Sequence, residues 1–189
     1  MFKTIDVNEI SKRVKDELMN LYNKPCLGID DVRNEYNFLH SIASVLAKEG
    51  FKDDDVIDEL IDQLMNNPRF VDTYMDTWSK VLGHAIAETA FYDDYIFRPG
   101  SAQTLQRINE LIDRISKANS REEITNAVRS YLQWAGCSSI CIRDAEELLM
   151  KVPDRYLGNV KNELLKTLVE LKSDILDDIL SNVEQVQKK

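Results

Sequence analysis

The residues best placed to do chemistry are His84, Glu88 and Tyr92, each four apart, followed at once by Asp93 and Asp94. On a helix that spacing sets the first three along one edge. A neutral imidazole beside carboxylates can hold a divalent cation or move protons. With Arg98 in the loop that follows, the candidate ligand-binding group is His84, Glu88, Tyr92, Asp93, Asp94 and Arg98. Helical di-metal centres use Glu-x-x-His, three apart, on two helices, and the sequence contains no such pair. An imidazole on the margin of an apolar face, with a glutamate one turn on, is an ordinary helix pair. The expectation for His84 is therefore structural. His40, the only other histidine, projects from the polar side of its helix and reads as solvent-exposed.

Cys137 and Cys141 would face the same way on a helix, and with Cys26 and a histidine they could in principle make a Cys₃His zinc site. Zinc sites show paired knuckles, whereas only one pair occurs, so buried thiols are the expectation. A second cluster, Arg98, Arg107, Arg114, Lys117, Arg121 and Arg129, could grip phosphate. Glu110 and Asp113 are interleaved with it, which reads as a mixed-charge helix face. There is no glycine-rich phosphate loop, no Gly-x-Ser-x-Gly and no His-Glu-x-x-His. No catalytic residue, metal or cofactor is assigned.

Elements that would position these residues follow from composition and period. Of 189 residues, 43% are hydrophobic and 30% charged, with only six glycines and four prolines. That suits a folded chain of long helices. The net charge of −9 is uneven: residues 1–100 carry 19 acids against 11 bases, and 101–189 carry 14 against 13. A negative field disfavours phosphate backbones. It leaves open a basic helix over 102–118, or an acidic first half that imitates DNA. No segment approaches the roughly 18–20 apolar residues of a membrane span. Residues Met1 to Asp6 lack an apolar signal core, so no membrane partner is expected and the cytoplasm is the expected compartment.

Apolar residues recur at three and four nearly throughout. The first helix carries Val7, Ile10, Val14, Leu18 and Leu21, capped by Asp6. The second is expected to run unbroken from Asp30 to Gly50, the third from Asp53, and the fourth from Pro68 through Ile86. A loop at Tyr92–Gly100 divides the chain. Ser101 and Ser120 open the next two helices, residues 137–142 are the one conceivable strand, and a short helix runs from Arg143 to Val152. From Asp154 to Val186 comes the longest segment, with Val160, Leu164, Leu168, Leu171, Ile175, Ile179, Val183 and Val186 on one side. Several of these lie eleven apart, the period of a straight or slightly right-handed helix.

The expected fold is an all-α bundle of seven or eight helices, one domain with a weak division at 92–101. Its expected role is non-enzymatic: an adaptor, regulator or assembly subunit that presents helix faces to a protein partner or to itself, most simply as a homodimer. The expected surface is the last helix through Leu164, Leu168, Leu171, Ile175, Ile179 and Val183, widened by Leu165, Leu176 and Leu180. The alternatives are that the bundle folds around this helix and hides it, that the His84 edge serves a metal- or ligand-dependent enzyme, or that the role concerns nucleic acid.

Overall fold

Phe70, Tyr74, Met75, Trp78, Val81, Leu82, Ala85 and Ile86 spread over roughly 160° of one helix, with Ala87 on the far side, and all are buried. A helix with so broad an apolar face belongs at the centre of its protein, and the computed structural model puts this one there. It describes residues 5–25, 27–91 and 102–187. Among them are nine α-helices, one 3₁₀ turn and no strand. They are α1 (Val7–Tyr22), α2 (Ile29–Phe38), α3 (His40–Lys48), α4 (Asp54–Met65), the central α5 (Pro68–Phe91), α6 (Ala102–Lys117), α7 (Arg121–Trp134), α8 (Ser139–Lys151), the turn Asp154–Tyr156 and α9 (Leu157–Gln187). None is long and apolar enough to cross a membrane.

The expectation of an all-helical bundle with a long last helix holds, but nine helices replace seven or eight because the expected second helix is two. The break is at Leu39, whose φ of 49° and ψ of 45° are left-handed. The cause lies four residues earlier. The buried Glu35 carboxylate turns forward and accepts the Ser41 backbone N–H with both oxygens, at 3.0 and 3.1 Å. Ser41 is in the first turn of α3, so Glu35 caps that helix from outside it and fixes the bend. The conceivable strand at 137–142 is likewise helix. Ser138 Oγ accepts the Cys141 N–H at 3.1 Å and opens α8 four residues earlier than Arg143.

The helices close a circuit around α5. It packs on α9, α1, α2 and α4, while α9 packs on α6, α6 on α7, α7 on α8, and α8 back on α2. Arg33 on α2 meets the buried Asp144 of α8 at 3.0 Å. Residues from both sides of the 92–101 segment share one core. Two basic side chains finish helix ends whose carbonyls have no partner within the helix. Lys161 Nζ donates to Ser116 O at 3.1 Å and Ala118 O at 2.9 Å, closing α6. Arg121 donates to Leu149 O and, at 2.6 Å, to Val152 O, closing α8.

α5 and α9 run parallel, with Asn159 donating to Asp76 at 2.6 Å and the His84 ring meeting Thr167. They approach closely at Gly83, where a Cβ would lie 2.7 Å from Val160 O and 3.2 Å from Leu164 N. From that register Phe91, the end of α5, falls beside about residue 174 of α9. Burial on α9 fades at the same level. Leu164, Leu168, Leu171 and Ile175 are core, whereas Leu180 is 59% exposed.

Candidate functional site

His84 and Glu88 share an edge of α5, as their spacing requires, and both are drawn inward, with side chains 15% and 13% exposed. The His84 ring stacks on Tyr22 of α1, centroids 4.4 Å apart. Its Nδ1 is 3.1 Å from Thr167 Oγ1 on α9, and its Nε2 is 3.8 Å from Glu88 Oε1. Tyr22 in turn donates its hydroxyl to Glu163 at 3.2 Å. Burial lowers the His84 pKa below its ordinary value, and the Glu163 and Glu170 carboxylates act against that fall. Tyr22 is pushed up to about 12 by burial and then by Glu163.

This geometry makes His84 a junction of α1, α5 and α9. Both ring nitrogens face protein groups and one ring face is covered by Tyr22. Nδ1 is engaged by Thr167, whereas the 3.8 Å between Nε2 and Glu88 is longer than a hydrogen bond. Among the described residues no three His, Cys, Asp or Glu side chains are grouped to hold a metal ion. Tyr92, Asp93, Asp94 and Arg98, the other members of the expected group, lie outside the described residues. Tyr22, Glu163 and Thr167 were not legible as partners of His84, because 62 to 83 residues of chain separate them from it.

The basic cluster is largely paired, as a mixed-charge face would be. Arg107 meets Glu110 at 3.2 Å, Lys117 meets Asp113 at 3.0 Å, and Arg129 meets Glu146 at 2.5 Å. Arg107 and Arg114 line a cleft of about 60 Å³ between α6 and α7, together with Leu111, Tyr131 and Trp134. It is far smaller than the roughly 300 Å³ at which small-molecule sites begin. Cys137 and Cys141 are half-buried and form no disulfide, Cys26 lies outside the described residues, and His40 is exposed.

The expected partner face divides in two. Leu164, Leu168, Leu171 and Ile175 are covered by α5 and α6 of the same chain, and Ile179 is half-buried. The first four therefore belong to the core and offer nothing to a partner in this fold. Val183 lies in the span of α9 but its side chain is outside the described residues. What α9 does present is a second line, roughly a third of a turn away. Val169, Leu176 and Leu180 are 53%, 37% and 59% exposed. Leu176 and Leu180 stand out in the sequence as a widening of the stripe. Val169 is the member that periodicity alone missed.

No protein-family model, curated protein or solved structure matches this chain.

Proposed function

We propose that this protein is a helical interaction module, and that it acts through the outward line of α9 rather than through a reacting site. The supporting observation is that Val169, Leu176 and Leu180 are large, apolar and open on one side of the longest helix. At about 100° per residue, Leu176 and Leu180 lie within roughly 20° of Val169 around the axis. A line of this kind on a helix is what a second helix docks against. The start of α9 is anchored by hydrogen bonds from Asn159 to Asp76 and from Lys161 to Ser116, and by Tyr156 in the preceding turn to Asp72. The His84 junction is a clamp for that helix.

The reading is tested with the full chain and with Val169→Glu/Leu180→Glu. Both positions are exposed, so the variant should keep its helicity and its Tm within a few degrees. It should lose whatever the open line gives the parent. That is either associated mass by light scattering or, if the parent is monomeric, binding of the apolar dye anilinonaphthalene sulfonate. A parent that is monomeric and binds no more dye than the variant overturns the reading.

A further inference from the structure

We infer that the occupant of this line is a second copy of the chain, docked antiparallel across a two-fold axis that passes between Lys172 and Ser173. The inference rests on the reading of α9 given above and specifies its partner.

The observation is a symmetry in the spacing. Among the described side chains of α9, the outward apolar residues are the half-buried Leu165 and the exposed Val169, Leu176 and Leu180, at intervals of four, seven and four. Those intervals read the same from either end. All four fall within about 40° on either side of Val169 around the helix axis. A two-fold axis brings each residue opposite its mirror position on an identical surface. Reversing α9 about the point between Lys172 and Ser173 lays Leu165 on Leu180 and Val169 on Leu176. Each of these four apolar residues then meets another, with Ser173 lying between the two pairs.

The charges support the same direction. Lys166 and Asp177, both exposed, stand on one edge of the line, about 60° and 80° round from Val169. In an antiparallel pair like edges meet, and the reversal brings Lys166 of one copy within two residues, about 3 Å along the axis, of Asp177 of the other. The contact occurs twice. A parallel pair in register leaves these charges eleven residues, roughly 16 Å, apart. On the opposite edge Lys172 lies near the axis and meets its own copy. Its long stem lets the ammonium turn to water, and the repulsion limits affinity. With four apolar side chains from each copy, the interface is small, roughly 1,000 Å² in all. A reversible dimer in the micromolar range is expected.

The experiment measures solution mass by light scattering from about 10 μM to several hundred μM, on the full chain. The variants are Val169→Glu/Leu180→Glu, Lys166→Glu, Asp177→Lys, and the double reversal Lys166→Glu/Asp177→Lys. The parent should double in mass over this range. Each single reversal should weaken dimerisation roughly tenfold by making two attractive contacts repulsive, and the double reversal should restore it. A parent that stays monomeric throughout overturns the second copy as occupant. Dye binding lost in Val169→Glu/Leu180→Glu would then leave the broader reading standing. A dimer that survives Val169→Glu/Leu180→Glu overturns both. A dimer dispersed by that variant, but not recovered by the double reversal, overturns the antiparallel register alone.

Discussion

The imidazole of His84 lies flat against the phenol of Tyr22, 4.4 Å between centroids and 27° between planes. The pair joins α1 to α5, and through Thr167 and Glu163 it joins both to α9. A residue whose type and spacing suggested acid–base chemistry has its hydrogen-bonding capacity turned to holding three helices together.

Stability should fall as pH drops through this junction. Burial lowers the His84 pKa, with Glu163 and Glu170 opposing and Lys166 assisting. Glu88 on the same helix and Tyr22 on α1 complete its surroundings. A lowered histidine pKa means that the unfolded chain takes up the proton first. The stabilising contribution is therefore complete above the ordinary value of about 6.5 and is lost progressively below it. Thermal melts from pH 8 to pH 5 on the parent and on His84→Gln isolate this contribution by difference. His84→Gln should be less stable by about 1 kcal/mol at pH 8, from the lost Thr167 contact. The gap should narrow toward pH 5, and a gap that widens would refute the assignment.

Two glycines should respond to alanine with opposite signs. At Gly83 a Cβ would meet Val160 O at 2.7 Å, Glu163 Cβ at 3.1 Å and Leu164 N at 3.2 Å. Two of these atoms are backbone and cannot step aside, so α5 and α9 must part. Such overpacking costs about 1–3 kcal/mol, against about 1 kcal/mol of gained helix propensity. Gly83→Ala should lower Tm by a few degrees. At Gly158, in the first turn of α9, nothing lies within 4 Å of the added Cβ. Gly158→Ala should be stabilising by up to about 1 kcal/mol, raising Tm by roughly 2–4 °C. Equal shifts in the two variants would deny that Gly83 sets the helix separation.

The helices were legible because their apolar periods are local, and because caps such as Asp6 and Ser120 act within four residues of themselves. Ser138 caps as simply, but the β-branched and cysteine residues after it mask the signal. The break at Leu39 was hidden because leucine rarely adopts positive φ, and nothing nearby is a glycine or proline. The division of the α9 stripe into a buried and an open line was hidden for a different reason. Both lines have helical period, and which is covered depends on where α5 and α6 lie. The candidate site shared that limit. Spacing placed His84 beside Glu88, but only the packing of α1 and α9 shows the ring to be enclosed.

Glu35 should prove the determinant of the bend between α2 and α3. Its side chain is the partner of the Ser41 amide, and the left-handed Leu39 costs on the order of 1–2 kcal/mol that this cap must help to offset. Glu35→Ala leaves the amide of a buried residue without its acceptor and should lose about 1–3 kcal/mol in urea denaturation. Glu35→Gln keeps one acceptor oxygen and should lose less. Its pH dependence separates a cap from a mere filler. Burial raises the Glu35 pKa, and the two hydrogen bonds from Ser41 only partly counter it. The contribution of a raised carboxyl is complete below the unfolded value near 4.3 and is lost as pH rises through the folded value. Glutamine has no such loss, so the deficit of Glu35→Gln relative to the parent should shrink between pH 4 and pH 7. A deficit that grows over that range would mean that the charged carboxylate is the favoured form at the bend, and that the helix N-terminus outweighs burial there.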